Sequence, residues 1–117
     1  MKMIMAVIQP FQLSKLTHAL ERIDGFPGIT IADVRGFGRE KATQQHREHH
    51  NRIDDVVDYV KKARIEIVAH DEMVDVIVTT IVETAHTGNP GDGKVFVWPI
   101  DAAVRIMTRE RDEAAIS

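Results

Sequence analysis

The chain has 117 residues, a formal net charge of −3 and no cysteine. That length supports one domain with one core. The charge excludes a general nucleic-acid footprint, and the missing cysteine excludes disulfides, thiolate chemistry and cysteine–zinc centres.

Residues 3–8 form a continuous apolar run that stops at Pro10, which predicts a buried central strand. Too short to span a membrane, and without the pattern of a signal peptide, this run leads us to expect a cytoplasmic protein that is not membrane-inserted. Met1, Met3 and Met5, in this strand or at its start, are expected to fill the core. Leu13, Leu16, Leu20 and Ile23 recur at helical spacing, and Gly25 closes that helix. A turn at Phe26-Pro27-Gly28 leads to a second strand over residues 29–37. Ala63, Ile65, Ile67 and Ala69 alternate with Arg64, Glu66 and Val68, the pattern of a two-faced third strand. Asp71 is placed to cap a second helix, along which Val74, Ile77, Val78, Ile81, Val82 and Ala85 make one apolar stripe. A fourth strand begins at Val95. Trp98 is expected in the core or in a subunit interface. Val104-Arg105-Ile106-Met107 and a solvated charged tail finish the chain.

The order β-α-β-β-α-β predicts an α+β, ferredoxin-like sandwich over residues 1–117, an antiparallel sheet with both helices on one face. The helix-free face needs a cover, and self-association is the expected one. Between the second and third strands, residues 38–58 show no sustained apolar period. A connection of that length in a small domain is expected to be functional.

Ahead of the fourth strand stands Thr87-Gly88-Asn89-Pro90-Gly91-Asp92-Gly93-Lys94. Glycines let successive backbone N–H groups converge, and the lysine adds a compact charge, a composition suited to a phosphate cradle. Gly88 to Lys94 fits the first seven positions of the P-loop pattern, but Val95 stands where that pattern needs a hydroxyl. A P-loop also opens a helix, whereas Val95-Phe96-Val97-Trp98-Pro99 reads as a strand. The P-loop reading is rejected and the anion cradle kept. The bland alternative is a glycine-rich connector with a surface lysine.

The run from Thr87 to Val97 resembles the C-terminal signature of the PII signal-transduction proteins. Val34-Arg35-Gly36-Phe37-Gly38-Arg39 is similar to that family's approach to its long T-loop. Lys62-Ala63-Arg64-Ile65-Glu66-Ile67-Val68 is similar to the strand leaving the T-loop, and Ile8-Gln9-Pro10-Phe11 to its opening. The resemblance implies a homotrimer that binds ATP or ADP, or AMP, in clefts between subunits. It would signal to a partner, a membrane transporter or an enzyme, through the T-loop at about 38–58. The glycine run would be its B-loop at about 86–94, and about 103–117 its C-terminal segment. By the same resemblance Gly91, Asp92, Gly93 and Lys94 hold phosphates, with Thr87 at the start of the B-loop. Gly36, Phe37, Gly38 and Arg39 face them, and Arg105 reaches in from a neighbouring subunit. Glu66 and Val68 lie on the adenosine side, and Lys62 matches the lysine that pairs with 2-oxoglutarate. No nucleophile–base pair is apparent, so a sensor rather than an enzyme is expected.

The chain departs from that family at three places. Glu40 stands where most members carry a glutamine that helps hold magnesium; a carboxylate still suits magnesium but repels 2-oxoglutarate. Met107 replaces an expected second arginine on the last strand, which removes a charge-assisted phosphate contact. No tyrosine occurs at 38–58, so modification on a tyrosine there is excluded. The same loop carries His46, His49 and His50, spaced to share one face if the segment is helical. Imidazoles suit zinc or copper, and the alternative expectation is a metal-responsive variant linked to metal efflux.

Overall fold

The computed structural model describes residues 1–38 and 58–117. Six main elements follow in the order β1 (Lys2–Ile8), α1 (Leu13–Glu21), β2 (Thr30–Gly36), β3 (Val60–Ala69), α2 (Val74–Ala85) and β4 (Gly93–Pro99). The strands form one sheet in the order β2-β3-β1-β4, with every pairing antiparallel. This is the ferredoxin-like α+β arrangement that the element order predicts.

The period-2 pattern of β1 and β3 decides which face is buried. Ile4, Ala6 and Ile8 of β1 and Ala63, Ile65, Ile67 and Ala69 of β3 are buried under the helices. Leu16 and Leu20 of α1 and Ile77, Ile81 and Ala85 of α2 close the core from above. Each fully buried Ile or Leu contributes roughly 1.5–3 kcal/mol, so the central β1–β3 pair and its two helices are the rigid frame. Val82, expected on the same stripe of α2, is 52% exposed because it lies at the outer edge of that face.

The open face is built by the alternate residues. Met3 lies between Val68 and Trp98, Met5 between Glu66 and Phe96, and Val7 between Arg64 and Lys94. The expectation of methionine core filling is therefore corrected: Met3 and Met5 pave the helix-free face, half-buried. Trp98 and Phe96 sit beside them, 42% and 47% exposed.

Local boundaries differ from the sequence reading in three places. β3 starts at Val60, ahead of its apolar alternation, because Gly36 pairs with Val60 and the intervening lysines extend a two-stranded ribbon. Asp71 does not cap α2. A 3-10 turn at Asp71–Met73 leads into the helix without a side-chain cap, and the Asp71 carboxylate instead accepts from the Met1 amino group at 2.9 Å. Residues 104–107 are not a strand: Val104 makes an isolated bridge to Arg111 across a turn.

Candidate functional site

Where α2 ends, His86 turns extended and the chain enters the glycine loop. Asp92 organises that loop. Its Oδ2 accepts the backbone N–H of Thr87 at 2.7 Å and that of Gly88 at 2.9 Å, while its Oδ1 accepts the Thr87 hydroxyl. Thr87 Oγ1 in turn accepts the Asn89 N–H at 3.2 Å. These donors favour the ionised carboxylate and hold the Asp92 carboxyl below its ordinary range, the Thr87 hydroxyl contributing most. The carboxylate that the resemblance places among phosphate ligands is thus turned inward, and its part in an anion site is to shape the backbone.

A second tie comes from β3. Lys62 Nζ donates to the Gly91 carbonyl at 2.5 Å, reaching past the end of β1. Gln9 packs at the same point: its Nε2 lies 3.0 Å from where a Cβ on Gly91 would stand. Gly91 and Gly93 have φ of 94° and 112°. A Cβ on Gly93 would lie 1.8 Å from the Val7 carbonyl oxygen, so only glycine lets β4 begin beside β1. Lys94 follows, exposed on the open face opposite Val7, with no hydrogen bond or ion pair among the described residues.

At the same end of the sheet β2 finishes in Gly36, followed by Phe37 and Gly38. Phe37 rests against Tyr59 with ring centroids 5.9 Å apart, and the Arg35 guanidinium lies 5.5 Å over the Tyr59 ring. These contacts join the two strands at the end of the β2–β3 ribbon. Arg39, Glu40, His46, His49 and His50 lie outside the described residues. Among the described residues no group of three His, Cys, Asp or Glu side chains converges as a metal site.

The remaining expected residues lie elsewhere. Glu66 and Val68 are on the open face of β3, where Glu66 pairs with Arg64 Nε at 3.1 Å. Val68 is six residues beyond Lys62, about 20 Å along the strand. Arg105 leaves the far end of the sheet, where its Nη2 donates to the Ser117 carbonyl at 2.8 Å. One chain therefore gathers Gly36, Phe37, Gly38, Lys62, Thr87 and Gly91 to Lys94 at one end, and leaves Val68 and Arg105 at the other. Sequence reasoning missed Gln9, Tyr59 and Arg35, whose parts in the site come only from strand register.

The loop offers backbone donors and an ammonium, that of Lys94, with no partner among the described residues, a set suited to anions. Its only hydroxyl–carboxylate pair, Thr87 with Asp92, is a poor catalytic couple. A general base works near neutral pH, and the Asp92 carboxyl is shifted the other way. A groove of about 360 Å³ runs beside the loop, with an apolar floor from Val78, Val82, Ala85 and Val95 and a polar edge from His86, Asp92 and Lys94. Among the described residues no helix is long and apolar enough to cross a membrane.

Comparison with known proteins bears on the family and the fold. The family model described as Nitrogen regulatory protein P-II matches residues 1–110. The chain is 45% identical over 116 residues to Nitrogen regulatory protein P-II 1 of Escherichia coli (strain K12), covering 99% of this chain and 100% of that protein. The same figures hold for Nitrogen regulatory protein P-II of Klebsiella oxytoca. Among solved structures, Arabidopsis thaliana PII bound to citrate aligns with a TM-score of 0.77 at 33% identity, covering 98% of this chain and 88% of that one.

Proposed function

Because the chain belongs to the nitrogen regulatory P-II family, we propose that it is an adenine-nucleotide sensor that regulates a partner protein. Members of this family are regulatory signal transducers, not enzymes. In our reading ATP or ADP occupies clefts between the subunits of a cytoplasmic homotrimer. The segment between β2 and β3 carries the signal to a transporter or an enzyme.

The observation that carries this reading is the glycine loop, tied by Asp92 and by Lys62, while Lys94 has no partner among the described residues. Such a loop is ready for phosphate before the ligand arrives, which lowers the cost of ordering on binding. Gly91, Gly93 and Lys94 then supply donors, Gly36, Phe37, Gly38 and Arg39 the facing wall, and Arg105 a guanidinium from the next subunit. Glu66 and Val68 serve the adenosine side, again across a subunit boundary. The separation of Val68 and Arg105 from the loop supports a cleft completed by a neighbour. Magnesium would fall to Glu40, whose carboxylate also disfavours 2-oxoglutarate. The citrate held by the Arabidopsis protein supports the view that this fold accepts a multiply charged anion.

The test is calorimetric titration with ATP, ADP and AMP, each with and without magnesium and 2-oxoglutarate, alongside light scattering after size exclusion. A trimer that binds ATP or ADP once per subunit is expected, with a loss of roughly tenfold or more in Lys94→Ala, a charge-assisted contact being worth about 1.5–3 kcal/mol. A monomer, or a trimer indifferent to every nucleotide, would end this reading.

A further inference from the structure

His70 joins the end of β3 to the C-terminal segment through both of its ring nitrogens. Nδ1 meets Glu113 Oε2, and Nε2 lies 3.1 Å from Ser117 Oγ. The Ser117 hydroxyl donates to the Glu113 carbonyl at 2.8 Å, and the Ser117 carbonyl accepts from Arg105 Nη2 at 2.8 Å. The charged tail is exposed, as expected, and Glu113 ties it to the end of the sheet. The chain of contacts runs from His70 through Ser117 to Arg105.

With the Ser117 hydroxyl aimed at the Glu113 carbonyl, donor accounting calls for a doubly protonated ring; a singly protonated ring is satisfied when that hydroxyl turns to Nε2. The Glu113 carboxylate only accepts, so Nδ1 must carry a hydrogen. The Ser117 hydroxyl has spent its single hydrogen on the Glu113 carbonyl, so Nε2 must donate to its oxygen. Only an imidazolium has both N–H groups. When His70 is neutral, one hydrogen remains for Nδ1, and the Ser117 hydroxyl must turn from the Glu113 carbonyl toward Nε2. The clasp then loses a tie at the residue that holds Arg105. Histidine is the side chain whose charge changes near neutral pH.

We infer that His70 is a positioning residue for Arg105, holding that guanidinium through a proton-linked clasp with Glu113 and Ser117. The inference rests on the reading of Arg105 as a phosphate contact. The single bond to the Ser117 carbonyl occupies one of the five N–H donors of Arg105 and fixes the direction of the others. The charged groups around His70 are Glu113 from the terminal turn, Asp71 from the turn before α2, and the Met1 amino group and Lys2 from the start of β1. The Met1 amino group engages Asp71 at 2.9 Å and Glu113 Oε1 at 3.4 Å, so the Glu113 carboxylate is shared between that amino group and His70 Nδ1. The His70 contact holds the Glu113 carboxyl below its ordinary range, so Glu113 is an acceptor in the clasp.

Hydrogen exchange in the 112–117 segment and ATP affinity are measured on the full chain at about pH 6 and about pH 8, the range in which histidine titrates. Wild type is compared at each pH with His70→Ala, Ser117→Ala and Arg105→Ala. Ser117→Ala removes one exposed hydroxyl and guards against misfolding of the histidine variant. At the lower pH, His70→Ala is expected to speed exchange and weaken ATP binding by about 3- to 10-fold, the size of one hydrogen bond. The gap should narrow at the higher pH, and Ser117→Ala should follow in the same direction. Exchange equal to wild type in both variants overturns the clasp. Faster exchange with unchanged ATP affinity, while Arg105→Ala loses affinity, overturns the positioning role. If Arg105→Ala binds ATP as wild type does, the phosphate reading of Arg105 fails and the positioning role with it. Exchange would still report whether the clasp exists.

Discussion

Lys62 Nζ donates to the Gly91 carbonyl at 2.5 Å, a bond between residues 29 apart in sequence. It ties the third strand to the glycine loop across the end of the first. It also occupies the lysine that the family resemblance assigns to 2-oxoglutarate. The carbonyl takes one of the three N–H donors of that ammonium, so a dicarboxylate would have to share the lysine with the loop. Replacing this cation by a neutral chain of similar length should therefore be felt in nucleotide binding. Lys62→Met is expected to weaken ATP by about 3- to 10-fold, the loss of one exposed contact worth about 0.5–1.5 kcal/mol. Calorimetry measures it, and amide exchange should show faster opening over 91–94. Unchanged affinity would mean that the strut does not prepare the loop.

Gly93 and Gly38 make a matched pair of substitutions. A Cβ on Gly93 meets the Val7 carbonyl oxygen at 1.8 Å and its carbon at 2.9 Å, and the φ of 112° is strained for any other residue. Both obstacles are backbone, which cannot step aside without breaking the β1–β4 register. Gly93→Ala should cost about 2–4 kcal/mol in urea unfolding, the range for overpacking plus a forced left-handed backbone. Among the described residues a Cβ on Gly38 meets nothing within 4 Å, and Gly38→Ala should change stability by less than about 1 kcal/mol. Equal effects at the two sites would contradict this account of the loop.

The frame was legible because its signals are local. The alternation from Ala63 to Ala69 and the stripe through Ile77, Ile81 and Ala85 each reflect one element's own period, and the buried residues follow them. The site was legible only as composition. That residues 87–94 favour a tight loop is written in the glycines; that Asp92 closes it is not, since its donors arrive only when the loop folds back. Asp71 looks like a helix cap in sequence, but the Met1 amino group, 70 residues away, takes its carboxylate. Met3 and Met5 sit in an unbroken apolar run, which carries no face information, so their place beside Trp98 and Phe96 depended on pairing. His70 gave no signal, because both of its partners lie more than forty residues on.

The Asp92 staple sets a pH limit on the loop. Its carboxyl is held below the ordinary value by the Thr87 hydroxyl first and then by the Thr87 and Gly88 N–H groups. A depressed folded-state pKa means that the unfolded chain binds the proton more readily. The contribution of Asp92 is therefore complete above the ordinary carboxylate range of about pH 4 and fades as the pH falls through the lower folded value. Loop order should be insensitive to pH from neutrality down to about pH 5. Carbon-detected NMR of the Asp92 carboxyl should show a midpoint below that of an unstructured aspartate. Asp92→Asn keeps one oxygen in place of two acceptors and should speed amide exchange at Thr87 and Gly88. A midpoint at or above the ordinary value would remove the staple.

Met107 is the position where a nucleotide preference should be adjustable. It is 87% exposed on the turn after Val104, beside Ile106 at 94%, so a longer side chain there costs no packing. Arg105, Arg109 and Arg111 occupy the same turn, and a further guanidinium adds to a field that attracts a triphosphate more than a diphosphate. Arginine also brings a planar donor fork that methionine lacks. Met107→Arg is expected to tighten ATP by about 5- to 10-fold, near 1–1.4 kcal/mol, the low end for a charge-assisted contact because the site is open to water. ADP should gain less, so the ATP-to-ADP preference rises, and added salt should shrink the difference. Competition calorimetry at two ionic strengths measures both effects. An equal gain for the two nucleotides would place the new arginine on shared phosphates, and no gain would place residue 107 outside the cleft.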